Sequence, residues 1–268
     1  MAATTGRKSD EETILLDVPA GGIALITLNR PAVRNALDLD MLARFHRFLV
    51  ACESDDSVRV IVLTGSGSCF CSGDDLRAAH VGNAEDFAQT IDALQRLSIT
   101  MLGLSKPIIA ALNGPAFGAG LELTLACDLR IATPEFYCAM PEVRLGLIGT
   151  NGASVLLPLL VGQSRARRMM LGGGGHDAPW CLEAGLIDEI VPREDLLSRG
   201  QELASDMMKG SPGAVAATRH MLSVPIAKLV EEAIRLEAQL CKAAYQSEES
   251  KQGLDAHFDK RRPSWSAL

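Results

Sequence analysis

The chain contains no apolar run approaching the ~18 residues that a membrane-crossing helix needs. Its leading segment, Met1 to Glu12, lacks the apolar stretch of a signal peptide. Basic charge is also in deficit: 26 Lys and Arg against 33 Asp and Glu leave a net charge of -7. That excludes diffuse binding to nucleic acid or to an anionic membrane, while leaving room for an anionic ligand held by local Arg and Lys. No second Cys or His pair completes the Cys69-Phe-Cys71 pair into a zinc set, so no metal site is expected. The 7 cysteines are odd in number and scattered among apolar neighbours, which fits reduced core thiols rather than a disulfide framework. Neither a Gly-x4-Gly-Lys-Ser/Thr phosphate loop nor a Gly-x-Ser-x-Gly elbow occurs. These absences together predict a soluble, cytoplasmic protein with no nucleic-acid or membrane partner.

What is present is a chain of 268 residues, 47% hydrophobic, with 24 Gly and 12 Pro. That is enough to bury a substantial core in one large domain, alone or with a small appendage, and it excludes disorder throughout. Residues Thr13–Val18 and Ile23–Leu28 read as strands about Gly21-Gly22, and Asp38 or Asp40 can cap a helix carrying Leu42, Phe45, Phe48 and Leu49. Val58–Leu63 and Pro107–Leu112 read as buried strands. Each runs into a Gly-rich loop, Gly65–Gly73 and Gly114–Gly120, with a helix after it; the helix from about Ala84 to Leu104 separates the two units. Leu129–Ala132 and Glu135–Cys138 are read as the last clear core strands. From Ser154 the pattern turns helical, most clearly in Lys228–Leu240, where Leu229, Val230, Ala233, Ile234 and Leu240 recur near the helical period. The run Gly172–His176 lacks the flanking strand of a dinucleotide site and reads as a flexible loop. The fold class is therefore α/β, an α/β core followed by a helical C-terminal part.

Two residues stand out chemically. Glu122 and Glu142 each close a Gly- or Pro-marked apolar segment, where a carboxylate is costly unless it is paired or functional. They could cap helices or form buried ion pairs; two in one apolar stretch also invite an acid/base reading. The Gly loops sharpen that choice. Gly lets backbone approach a ligand and a following helix start leaves N–H groups free, so two loops can each direct one N–H at a single oxygen.

Ile26-Thr-Leu-Asn-Arg-Pro31 with Asn35-Ala-Leu37, then Phe70-Cys-Ser-Gly-Asp-Asp-Leu76, Asn113-Gly-Pro-Ala-Phe-Gly-Ala-Gly-Leu-Glu122-Leu, Pro141-Glu142 with Gly146-Leu147, and the tail Phe258-Asp-Lys-Arg-Arg-Pro263 follow one another along the chain. In this order and spacing they resemble the crotonase superfamily of enoyl-CoA hydratases and isomerases, over about residues 13–265. The resemblance implies a crotonase-like ββα spiral core with the active site over residues 13–200, a helical C-terminal trimerisation region over 201–268 and a disordered tail over 1–12. It implies an acyl-CoA thioester substrate, no cofactor beyond the coenzyme A of that substrate, and a homotrimer or hexamer.

It also implies residue roles. The N–H groups of Asp74 and Ala119 would form an oxyanion hole, worth ~3 kcal/mol per donor. Glu122 and Glu142 would position a water and move protons in hydrating a 2-enoyl-CoA. Arg34 and Arg77 are candidates for CoA phosphates, and backbone carbonyls near Ser72 and Asp74 for the adenine. Gly73, Asp75, Leu76 and Gly118 complete the expected substrate-binding set, and Lys260 matches a tail position that reaches CoA from a neighbouring subunit. The alternatives are an enoyl-CoA isomerase in which Glu142 alone shuttles the proton, and a CoA-thioester binding protein without activity. Three departures accompany the resemblance. Ala119 stands in place of Gly, Gly146–Gly152 replaces a Pro-Gly-x-Gly-Gly run whose water-holding Gly falls near Thr150, and His257 replaces Phe.

Overall fold

The computed structural model describes residues 12–19 and 21–265. Apart from Glu12, the tail expected over residues 1–12 lies outside the described residues. Strands β1 (Ile14–Asp17) and β2 (Ile23–Leu28) form an antiparallel pair, and β2 continues in parallel to β3 (Val60–Gly65) after helix α1 (Leu39–Ser54). The α1 start is set by Asp38, whose side chain accepts from the Met41 N–H at 2.8 Å, and its buried face is Met41, Leu42, Phe45, Leu49 and Cys52. The short α2 (Leu76–Val81) and long α3 (Ala84–Gly103) lead to β4 (Ile108–Leu112). Asn83 caps α3 by accepting from the N–H groups of Glu85 and Asp86. Every residue of β3 and β4 is buried, as expected for parallel strands covered on both faces.

Next come β5 (Ala116–Phe117), α4 (Ala119–Leu125), β6 (Leu129–Ala132) and β7 (Tyr137–Ala139). Then α5 (Ala153–Val161), α6 (Gln163–Gly172), β8 (Gly175–Asp177), α7 (Ala178–Ala184), β9 (Glu189–Ile190) and α8 (Leu196–Met208) follow. The chain closes with α9 (Pro212–Tyr245) and α10 (Glu248–Phe258). The main sheet runs β1-β2-β3-β4-β6-β9 and a smaller one β5-β7-β8. This is the mixed α/β spiral of the expected fold class, with a helical C-terminal region.

Three local expectations are corrected. The run Gly172–His176 is ordered rather than a flexible loop: Gly173 ends α6 in a left-handed conformation (φ 61°), and Gly175 and His176 pair with β7. The close approach demands glycine, because a Cβ on Gly175 would stand 2.0 Å from the Tyr137 hydroxyl. Second, β6 and β7 are not the last strands, since β9 extends the main sheet beside β6; two residues are too few to leave a periodic signal. Third, β7 begins at Tyr137 rather than Glu135. Of the apolar positions read on α9, Val230 is buried while Leu229 and Leu240 are exposed. Residue 200 falls within α8, which packs on β3 and β4. Arg219 of α9 is buried, bonding Asp128 at 2.8 Å and the carbonyls of Met101, Leu102 and Leu104, and so ties the C-terminal helix to the end of α3.

Candidate active site

The Gly65–Gly73 loop is held by two asparagines. Asn35, fully buried with φ 56°, donates its amide to the carbonyls of Ser66, Cys69 and Phe70 and accepts from the Arg30 N–H. Asn113 accepts from the Gly65 N–H and donates to the Gly67 carbonyl. Buried amides this fully satisfied fix a backbone path. The second loop is clamped between the first loop and β7: Phe117 N–H donates to the Cys71 carbonyl at 3.0 Å, and Gly118 N–H to the Ala139 carbonyl at 3.0 Å. A Cβ at Gly114 would meet the Ser68 carbonyl at 2.1 Å, and one at Gly120 would meet Cys71 at 2.7 Å, so these glycines permit the contact.

This packing sets Asp74 and Ala119 side by side. A Cβ on Gly73 would lie 3.6 Å from the Ala119 nitrogen. Ala119 opens α4 and its N–H has no intrahelical acceptor, while the strand-like bonds around Asp74 use the Gly73 carbonyl and the Asp75 N–H instead. Among the described residues, neither the Asp74 nor the Ala119 N–H donates to another backbone carbonyl outside helices and strands.

Asp74 and Ala119 both line a narrow cavity of about 60 Å³, together with Glu122 and Glu142. Glu122, 1% exposed on the first turn of α4, accepts from the Thr150 N–H at 3.0 Å. Burial first, then Glu142, Glu237 and Asp74, hold its carboxyl well above the usual range. Glu142 begins a short 3-10 turn after β7. Its Oε1 is buried without a hydrogen-bond partner among the described residues, and burial together with Asp74 pushes its carboxyl up to about 7. Glycine makes room for both carboxylates: a Cβ on Gly149 would come within 2.6 Å of Glu122 Oε1, and one on Gly118 within 2.9 Å of Glu142 Oε1. The far wall is apolar, with Phe87, Ile91, Leu147, Ile148 and Cys241. Carboxyls with raised pKa values beside unbonded N–H groups suit proton transfer next to a developing oxyanion.

The sequence profile of the enoyl-CoA hydratase/isomerase family matches residues 19–267. The chain belongs to that family. It is 34% identical to the 2,3-dehydroadipyl-CoA hydratase of Escherichia coli over 91% of this chain and 94% of that protein. It is 31% identical to the enoyl-CoA isomerase/hydratase fer4 of Mycosarcoma maydis, over 90% of this chain and 92% of that one. Among solved structures, an enoyl-CoA hydratase/isomerase from Pseudoalteromonas atlantica superposes with a TM-score of 0.84 at 28% identity, covering 94% of this chain and 99% of that one.

In this hydratase/isomerase family member the expected site residues divide between two connected spaces. Gly73, Gly118, Ala119, Glu122 and Glu142 line the cavity, and Ser72, Asp74 and Leu76 line both the cavity and a wider groove of about 720 Å³. Arg34, Asp75 and Arg77 line the groove alone of these two. Asp75 bonds the Arg30 guanidinium at 3.2 and 3.3 Å, so its carboxylate is already engaged. Lys260 is exposed with φ 55° and does not line the groove, whereas its neighbours Arg261 and Arg262 do. Sequence reasoning did not single out Arg144, Arg261 or Arg262, which make the groove strongly basic. It also missed Glu237 of α9, which accepts from the N–H groups of Gly152 and Ser154 and stands close enough to raise Glu122. No local signal marked it, because Glu231 and Glu232 stand on the same helix and nothing in the sequence sets Glu237 apart from them. No group of His, Cys, Asp and Glu able to hold a metal ion occurs among the described residues, and no helix there is long and apolar enough to cross a membrane.

Proposed function

We propose that the chain hydrates the 2,3 double bond of a 2-enoyl-CoA thioester. The observation that carries this reading is that Glu122, Glu142, Asp74 and Ala119 all line one small cavity. The thioester oxygen accepts from the two N–H groups, which stabilise the enolate formed when water adds at C3. One carboxylate, ionised, takes the proton of that water; the other, neutral, delivers a proton to C2. Two carboxyls facing one water cannot both ionise cheaply, which divides the roles. The Thr150 N–H keeps Glu122 in place. The arginines of the groove, Arg34, Arg77, Arg144, Arg261 and Arg262, supply countercharge for the CoA phosphates.

A second reading, isomerisation of a 3-enoyl-CoA with Glu142 as the proton shuttle, draws support from one contrast. Glu142 Oε1 is unbonded, whereas Glu122 is tethered to Thr150. Conversion of crotonyl-CoA with loss of the conjugated thioester absorbance, abolished by Glu122→Gln or Glu142→Gln, tests the hydratase reading; full activity in both variants overturns it.

A further inference from the structure

Asp74 enters the reading above only through its N–H, yet its side chain is a third acid on the same cavity. Its Oδ1 is buried without a hydrogen-bond partner among the described residues. The residue lines the catalytic cavity, the basic groove, and a third cavity of about 300 Å³ that it shares with Phe87. Asp74 is thus the residue common to the three spaces.

Its surroundings offer it no cation. Among the described residues, no Lys, Arg or His lines the catalytic cavity, and Asp74 takes part in no ion pair. Arg30, which is closest in role, is occupied by Asp38 and Asp75. Arg34 and Arg77 share the groove with Asp74 without bonding it. The titratable groups that do face it are acids and thiols: Asp75 and Cys71 on its own loop, Glu122 on α4, Glu142 after β7, and Cys241 on α9. Asp38 and Asp40 before and within α1 and Asp86 on α3 line the third cavity beside it. Burial and Asp75 push the Asp74 carboxyl up to about 7.

Covalent geometry keeps this carboxyl close to its own N–H. An oxygen accepting from that N–H therefore lies roughly 5 Å from the carboxylate. At an effective dielectric of about 20, an ionised Asp74 opposes a full negative charge on that oxygen by roughly two orders of magnitude, and the partial charge of a bound thioester oxygen by about one. A side chain beside an anion-stabilising N–H is an unfavourable place for a carboxylate and a harmless place for a neutral acid.

We propose that the Asp74 carboxyl is a charge gate on the oxyanion site, admitting the thioester oxygen when neutral and disfavouring it when ionised. Asp74 is in this sense a positioning residue that sets the charge of the cavity. The proposal rests on the acyl-CoA reading of the site, and it is separable from hydration because it concerns binding before chemistry.

The sign follows directly. Asp74 is neutral below pH of about 7 and ionised above it, so the gate closes as pH rises. Calorimetric titration of the intact protein with butyryl-CoA, which has no double bond to hydrate, reads the gate without turnover. From pH 6 to 8.5 the affinity of the wild-type protein falls at least tenfold, while Asp74→Asn, which keeps the N–H and the shape, changes less than threefold. Asp74→Ala, which also keeps the N–H, behaves like Asp74→Asn and serves if the amide variant folds poorly. With crotonyl-CoA, the alkaline fall of kcat/KM becomes shallower and moves to higher pH in both variants, the fall that remains being ionisation of the neutral member of the Glu122–Glu142 pair. Removing Asp74 also shifts the acid-side fall to lower pH, because its charge helps raise Glu142. Equal pH dependence of butyryl-CoA binding in wild type and both variants, or a flat wild-type profile, overturns the gate. Binding with the expected pH profile but no turnover of crotonyl-CoA overturns the hydratase reading and leaves the gate supported.

Discussion

Gly149→Ala is a small change with a calculable consequence. The added Cβ would stand 2.6 Å from Glu122 Oε1, with Met140 Cε at 3.3 Å and Ala153 Cβ at 3.5 Å. Met140 is a flexible side-chain end and Ala153 is at ordinary contact, so the carboxylate carries the strain. Restoring a normal separation requires Glu122 to retreat by about 0.5–1 Å, which stretches its 3.0 Å bond from Thr150 N–H. Displacement of a reacting group by ~1 Å costs up to ~10²-fold in rate. We therefore expect kcat for crotonyl-CoA hydration to fall about 10- to 100-fold, or about 1.4–2.7 kcal/mol. Gly149 does not occupy the left-handed region, so alanine brings no backbone strain there, and the overpacking cost to stability is about 1–2 kcal/mol. A double-mutant cycle isolates the mechanism. In a Glu122→Gln background the alanine should lower kcat less than threefold, because the group it displaces is already disabled. A wild-type kcat in Gly149→Ala, or the same fold-loss in both backgrounds, refutes the argument.

Further expectations concern charge and loop support. Glu142→Gln should lower hydration about 10²- to 10⁴-fold, and wild-type activity should decline as pH falls through about 7, where the Glu142 base becomes protonated. The same raised pKa means the folded state binds more protons than the unfolded one between about pH 4.5 and 7, so stability declines as pH rises through that window. Thermal melts should then show Glu142→Gln more stable than wild type at pH 8 by several degrees, and nearly equal at pH 4.5. Arg77→Ala combined with Arg262→Ala should raise KM for an enoyl-CoA about tenfold with little change in kcat, and reduce the salt dependence of KM in steady-state assays. Asn35→Ala should destabilise the fold by about 3 kcal/mol in urea titration, because it strands the carbonyls of Ser66, Cys69 and Phe70 and places alanine at φ 56°.

The parts legible in the sequence were those encoded locally. The loop glycines announce themselves because a tight backbone crossing tolerates few other residues, Asn35 and Asn113 entered only as members of the motifs that carried the resemblance, and the buried strands Val60–Gly65 and Ile108–Leu112 show as apolar runs. Glu122 and Glu142 were legible because charge within apolar sequence is costly. What escaped was set by tertiary placement. Glu237 reaches the α5 start only through the rotation of a 34-residue helix, which leaves no local trace. Arg261 and Arg262 join the groove because α10 folds back on the turn at Glu142–Leu145. The Asp74 carboxyl was overlooked because its backbone N–H already had an assignment, and its burial without a partner beside Glu122 and Glu142 is set by tertiary packing.

In the proposed reaction Glu122, Glu142 and the two N–H groups act together to add water to a 2-enoyl-CoA. The most direct measurement is the product mass after incubation with crotonyl-CoA and, separately, with a 3-enoyl-CoA. Crotonyl-CoA should gain the mass of one water, and this gain should be lost in Glu122→Gln and Glu142→Gln. No change in crotonyl-CoA together with conversion of the 3-enoyl-CoA to a conjugated isomer of unchanged mass would contradict the hydratase reading.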